Sequence, residues 1–299
     1  MADRRSPMMI LSYDDGPRED DSIAFPIHRR FGVPGELNIV ADLVGTRRFL
    51  TAEQIAKMER AGFEIISHTC SHKTLISVPL TRRAHRGDDK LYMRKVRLTD
   101  TECRVWHEDR AEIIRTLGKG RDRYGRYVAL ATPLRNNYPA GALVRLTESA
   151  AEYEVAQSQR ALRKLGFQAD HFTYPFNEWD EECRRLVAAY YASARGGNHM
   201  AINRWQQLDP YTLCSKNFIY LSNQQITKLL DETVKRRALL IFYAHTWEDA
   251  FSARKLAFLL HEALRRDIRV VTRGQALESL AYRREQGEPH AGLGPHERV

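Results

Sequence analysis

Met8-Met9-Ile10-Leu11-Ser12-Tyr13-Asp14-Asp15-Gly16-Pro17 decides the fold. The run from Met8 to Tyr13 is almost continuously apolar rather than alternating, as in a strand covered on both faces. Two carboxylates and a glycine then end it in a turn. Working outward, Ile23 to Phe31 predicts a helix stopped by Gly32, and Glu36 to Val40 a second strand. Thr51 and Gln54 form a capping box for a helix that closes at Gly62. Phe63 to Ser67 is a third strand, feeding directly into His68.

The same rhythm returns at Thr147. Ser149–Leu165 and Glu178–Ala189 read as helices, and Asp170–Tyr174 and Tyr190–Arg195 as strands. Ser222 and Gln225 make a second capping box, opening a helix to Arg236. Ala238–Ala244 is a strongly apolar strand that delivers His245. Helix Ser252–Arg265, strand Ile268–Thr272 and helix Gln275–Glu285 complete the series. Such alternation predicts an α/β fold with a parallel sheet, and about seven units suggest a barrel with functional groups at the C-terminal ends of its strands.

Residues 78–146 break the rhythm. Leu91–Leu98, Arg126–Leu130 and Ala142–Leu146 are strand-like, with turns and little helix between them. The expected organisation is therefore a barrel from 1–77 and 147–285, a β-rich insertion of unassigned role at 78–146, and a flexible tail at 286–299.

The 299 residues are 43% hydrophobic and 28% charged, a globular balance that excludes general disorder. The net charge of +9 is read as solubility, because basic residues recur along the chain. Two clusters, Arg82–Arg86 and Lys119–Arg123, are not interleaved in sequence with the aromatics of a single-strand platform, so no nucleic-acid partner is expected. Cys70, Cys103, Cys183 and Cys214 form no CxxC pair and read as reduced, mostly buried thiols. No apolar run reaches the ~18 residues of a membrane span. The first residues lack an apolar signal segment, so the expectation is cytoplasmic synthesis, with a phage particle or non-classical release as routes to a cell wall.

Two constellations carry chemistry. Asp14 and Asp15 repel one another, and a divalent cation would take one as ligand and leave the other as a base. His68 and His72 stand at i and i+4, which on one face of a helical turn can chelate a single metal. One of these aspartates together with His68 and His72 makes an open Asp-His-His set suited to a catalytic site, with zinc first and cobalt or nickel as alternatives.

Ser12-Tyr13-Asp14-Asp15-Gly16-Pro17, followed by Gly62-Phe63-Glu64-Ile65-Ile66-Ser67-His68-Thr69-Cys70-Ser71-His72, resembles the NodB-type polysaccharide deacetylases of carbohydrate esterase family four. Phe31–Gly35 and Phe49–Thr51 are similar to that family too, and the resemblance covers 8–77 and 147–280. It implies a distorted (β/α)7–8 barrel of the NodB type that removes N-acetyl, or O-acetyl, groups from an acetylated glycan. By position it implies Asp14 as catalytic base, His245 as acid, and Asp15, His68 and His72 as metal ligands. Tyr174-Pro175-Phe176-Asn177 matches the motif that shapes the substrate groove and offers a backbone N–H to the oxyanion. Thr173 stands where that motif begins with an arginine, and Tyr243 where a leucine is usual. Arg195 is the candidate replacement guanidinium beside Asp14, and Trp247 the best candidate for stacking on a sugar. Competing readings are a non-catalytic carbohydrate-binding or structural relative and a metal amidase for a small amide. The insertion is a candidate for assembly, with the oligomeric state left open.

Overall fold

The computed structural model describes residues 6–196 and 202–285, so the tail expected at 286–299 lies outside the described residues. The first half opens with β1 (Met8–Asp15), α1 (Phe25–Phe31), β2 (Glu36–Ile39), α2 (Ala52–Arg60) and β3 (Glu64–Ser67). Six strands follow: β4 (Val78–Pro79), β5 (Lys90–Tyr92), β6 (Glu102–His107), β7 (Arg110–Asp122), β8 (Gly125–Leu130) and β9 (Leu143–Leu146). Then come α3 (Glu148–Glu152), α4 (Ser158–Lys164), β10 (His171–Thr173), α5 (Glu181–Ala188), β11 (Ser193–Arg195), β12 (Ile202–Asn203) and β13 (Lys216–Asn217). The chain closes with α6 (Asn223–Arg236), β14 (Leu239–Ala244), α7 (Ala253–Leu264), β15 (Arg269–Val270) and α8 (Arg273–Glu285).

Nine strands form one sheet in the order β11-β10-β3-β2-β1-β14-β12, with β13 on β14 and β15 on β1. All its ladders are parallel except β12 on β14. Among the described residues no ladder joins β11 to β12. β1 lies at the centre because its apolar residues are covered on both faces: Met9 and Leu11 sit in the core beneath the helices, Met8 and Ile10 in a second cluster. Both expected capping boxes are present, and they start α2 and α6 where the sequence put them. Gly32 ends α1 at φ 65°, a left-handed turn that a residue without Cβ adopts at little cost.

The second sheet, in the order β4-β9-β6-β7-β8-β5, is antiparallel. Its inner face shares a core with β10 and α5, through residues such as Val105, Val128, Phe172 and Val187. The strand expected over Leu91–Leu98 is confined to β5, and β6 and β7 were not expected at all. Both alternate buried and exposed positions, with Arg104 and Arg115 pointing outward, so their charges hid a half-buried strand. The helix expected over Ser149–Leu165 is broken by a π-turn at Tyr153–Gln157, and α1 is preceded by another at Asp20–Ala24.

His28 on α1 is fully buried, with Nδ1 2.9 Å from the Pro34 carbonyl and Nε2 2.7 Å from Tyr13 Oη. A carbonyl only accepts, so Nδ1 carries the proton and Nε2 accepts from the tyrosine: the ring is neutral. Burial pushes its pKa down to about 4. A base depressed in the fold stabilises it above the unfolded value near 6.5 and loses that contribution as pH falls towards 4. On the order of 3 kcal/mol should therefore disappear across this window. Urea unfolding of wild type and His28→Gln between pH 7 and 4 checks it: the wild-type stability should fall more steeply, and parallel curves would refute the assignment.

Candidate active site

The site lies along the C-terminal edge of the parallel sheet. β1 ends in Asp14 and Asp15, β11 in Arg195, and His68 and His245 directly follow β3 and β14. Parallel strands bring residues distant in sequence to one edge, which is why a carboxylate at 14 meets a guanidinium at 195.

Asp14 is buried, and its Oδ1 accepts from Asn38 Nδ2 at 2.8 Å and Arg195 Nη2 at 2.5 Å. Arg195 has no exposed surface; its Nη1 donates to Asn177 Oδ1 at 2.9 Å and Ser215 Oγ at 3.1 Å, and the Tyr243 ring lies 5.0 Å from its Cζ. Arg195 thus puts a guanidinium on Asp14 where Thr173 offers none, and Tyr243 flanks it.

Asp15 turns away from Asp14. Its Oδ2 accepts from Trp247 Nε1 at 3.2 Å. Its buried Oδ1 has no hydrogen-bond partner among the described residues and lies 3.6 Å from His68 Nε2 and 3.4 Å from His72 Nε2. The two Nε2 atoms are 3.1 Å apart. Burial above all, and the neighbouring imidazole, drive the His68 pKa well down; burial also lowers that of His72. Both rings are then neutral bases with a lone pair to offer. His68 Nδ1 donates to the Thr173 carbonyl at 2.8 Å, which leaves Nε2 as its free ligand atom. An orphaned carboxylate oxygen facing two neutral imidazoles is a donor set that fits a divalent cation.

The expected helical turn at His68–His72 is absent. This segment is a loop in which Thr69 and His72 take left-handed φ of 68° and 59°. The backbone bends to bring the two rings together, and Thr69 Oγ1 accepts from the His72 N–H at 2.9 Å. Asp15, Phe176 and Asn177 are also left-handed, so half of the ten such non-glycine residues among those described lie at this site. Each costs of order 1–3 kcal/mol and persists only where the surroundings impose it.

His245 Nε2 is 4.0 Å from Asp15 Oδ2, and its Nδ1 sits 2.6 Å from Glu248 Oε1, close enough to pair but off hydrogen-bond direction. Trp247 is 46% exposed at the rim and its ring is tilted by 52° against that of His245, their centroids 5.6 Å apart. Phe176 and Asn177 are partly exposed, and the Phe176 ring meets that of His72 at 4.5 Å. Tyr174 and Pro175 are buried beneath the loop that carries Phe176 and Asn177.

Sequence reasoning missed the polar layer beneath. Thr173 Oγ1 donates to Asn38 Oδ1 at 2.6 Å, Asn38 Nδ2 reaches Ser12 Oγ at 2.6 Å, and Ser12 Oγ donates to Glu36 Oε2 at 3.0 Å. Arg273, the first residue of α8, closes the network with Nη2 2.9 Å from Glu36 Oε2 and 3.4 Å from Thr173 Oγ1. The signal was available: Ser12 and Asp14 on β1, and Glu36 and Asn38 on β2, are polar at alternate positions in buried strands.

The family model for polysaccharide deacetylases matches residues 2–193. YxkH of Bacillus subtilis (strain 168), a protein named for polysaccharide deacetylase activity, is 26% identical over 83 residues; the match covers 27% of this chain and 30% of that relative. A solved structure titled T48 deacetylase with substrate is 13% identical, with 93% of this chain and 94% of that one covered at a TM-score of 0.53. A family 4 acetyl xylan esterase from Clostridium thermocellum, in complex with cobalt, is 14% identical over 92% and 91% at 0.50. At these identities the solved structures speak for the fold: mixed α/β, built on a curled sheet. With its model matched over more than half of the sequence, the chain belongs to the polysaccharide deacetylase family.

Proposed function

We propose that this protein is a metal-dependent deacetylase that hydrolyses N-acetyl groups on an acetylated glycan. The observation that carries the reading is the buried, unpartnered Asp15 Oδ1 facing two neutral imidazoles, with a second carboxylate adjacent in sequence. Asp15, His68 and His72 would hold the ion, zinc first and cobalt or nickel next by donor type. When bound, it would supply Lewis-acid polarisation of the acetyl carbonyl and lower the pKa of a water.

The chain's own groups account for the proton movements. Asp14 Oδ1 is held by Asn38 and Arg195, so Oδ2 is the atom that takes the proton of the attacking water. A backbone N–H at Phe176 would donate to the developing oxyanion. The C–N bond breaks as His245 Nε2 gives its proton to the leaving amine, with the Glu248 carboxylate 2.6 Å from the other ring nitrogen. The products are acetate and a free amino sugar. Phe176, Asn177 and the exposed ring of Trp247 line the substrate side.

We also read the curled sheet as the family's distorted (β/α)7–8 barrel, opened between β11 and β12, with residues 78–146 inserted into it. Purified protein supplied with zinc should release acetate from an oligomer of N-acetylglucosamine. His68→Ala should lose both bound metal, read by elemental analysis, and acetate release. A variant that keeps stoichiometric metal would sink the ligand assignment.

A further inference from the structure

Residues 78–146 contain sixteen Lys and Arg against eight Asp and Glu, so this segment holds +8 of the chain's +9. The basic residues do not recur evenly, as composition alone suggested; the rest of the chain is nearly neutral. Thirteen of the sixteen are arginine. Lys90, Lys95, Arg97, Arg135 and Arg145 pair with carboxylates. The other eleven have no carboxylate within 4.0 Å among the described residues.

The excess is concentrated at the β7–β8 hairpin. Arg121 and Arg126 stand directly opposite one another across the ladder, and like charges in that relation repel. Next to them the guanidinia of Arg82 and Arg123 lie 4.1 Å and 4.5 Å from the centroid of one ring, Tyr124. The local acid, Asp122, is already engaged by Tyr92 Oη, Lys90 and the Tyr124 N–H. The tip therefore carries facing like charges with no carboxylate partner within 4.0 Å among the described residues.

This surface leads to the site. From Tyr92, five residues through exposed Arg94 and Lys95 reach Arg97, a span of no more than about 17 Å. The Arg97 guanidinium lies 3.3 Å from the centroid of Phe176, whose ring packs on His72.

We infer that the antiparallel sheet binds an acidic glycan, a sugar polymer bearing carboxylates, and leads its acetylated residues to the site. This deepens the deacetylase reading by giving its substrate class, and rests on it for the choice of a glycan. Guanidinium forks match carboxylates in two-point contact, which explains the preference for arginine. A nucleic acid is disfavoured because bases need open aromatic faces. Arg82 and Arg123 lie against Tyr124, and Lys90 and Gly120 against Tyr127.

The test is calorimetric binding of full-length, zinc-loaded protein to three probes. They are a hyaluronan oligosaccharide, which alternates uronate with N-acetylhexosamine, a neutral N-acetylglucosamine oligomer of equal length, and an RNA oligonucleotide of equal charge. Hyaluronan should bind best, and more weakly as salt is raised. Reversing the exposed tip with Arg121→Glu, Arg123→Glu and Arg126→Glu together should weaken it at least ~10-fold, the ratio expected from a 1.4 kcal/mol loss, and leave the neutral oligomer unaffected. Should that variant fail to fold, the salt series on wild type decides. Unchanged hyaluronan binding in the folded variant, indifference to salt, or tighter binding of RNA overturns the inference. Hyaluronan bound without acetate release would count against the catalytic reading and leave this one standing.

Discussion

Asp14→Asn lowers acetate release by about 10²–10⁴-fold, the loss typical when a general base is removed, while the protein still binds one metal ion. The substitution keeps the shape of the side chain, and an amide oxygen still accepts from Asn38 and Arg195 at the position of Oδ1. What disappears is a lone pair basic enough to take the proton of water. Metal content separates this from damage to the ligands, since Asp15 Oδ1 faces the histidines on its own. Near-full turnover in the variant would remove Asp14 from the mechanism and leave another group to be found.

Arg273→Met destabilises the protein by about 3–5 kcal/mol, the usual cost of breaking a buried ion pair from one side. Arg273 and Glu36 both have zero exposed surface and meet at 2.9 Å. Without the guanidinium, Glu36 keeps a buried carboxylate whose remaining hydrogen-bond donor among the described residues is Ser12 Oγ. The Phe172 carbonyl also loses the Nη1 bond at 2.6 Å. Adding Glu36→Gln to Arg273→Met removes the uncompensated charge, so the double variant should recover most of the loss. Urea unfolding of the two single variants and the double reads this directly. If the double variant is no more stable than Arg273→Met alone, charge compensation is not what Arg273 provides.

The sheet was legible because buried parallel strands write long apolar runs, and Met8–Tyr13 and Ala238–Ala244 could hardly be anything else. The capping boxes at Thr51 and Ser222 fixed helix starts because their bonds are local. The candidate edge was legible for the same reason, since Asp14, His68 and His245 all stand where an apolar strand ends. β6 and β7 were illegible because one face of an antiparallel sheet is solvated, and its Arg and Glu residues erase the apolar signal. The geometry of His68–His72 was misread because i, i+4 spacing implies a helix only where the backbone is helical, and left-handed φ at Thr69 and His72 gives convergence by a different path. The pairing of Arg195 with Asp14 could be suspected from the missing arginine at Thr173. The pairing of Arg273 with Glu36 joins residues 237 apart in the chain, and no local pattern announces it.

That last span bears on biogenesis. A ribosome releases β1 and β2 long before α8, so a nascent chain holds an unneutralised Glu36 in what will become its interior. Sealing the sheet around that charge is unfavourable until the counter-ion emerges. Closure around Glu36 is therefore expected to wait for α8, and a chain cut before Arg273 should stay loosely closed and open to proteases.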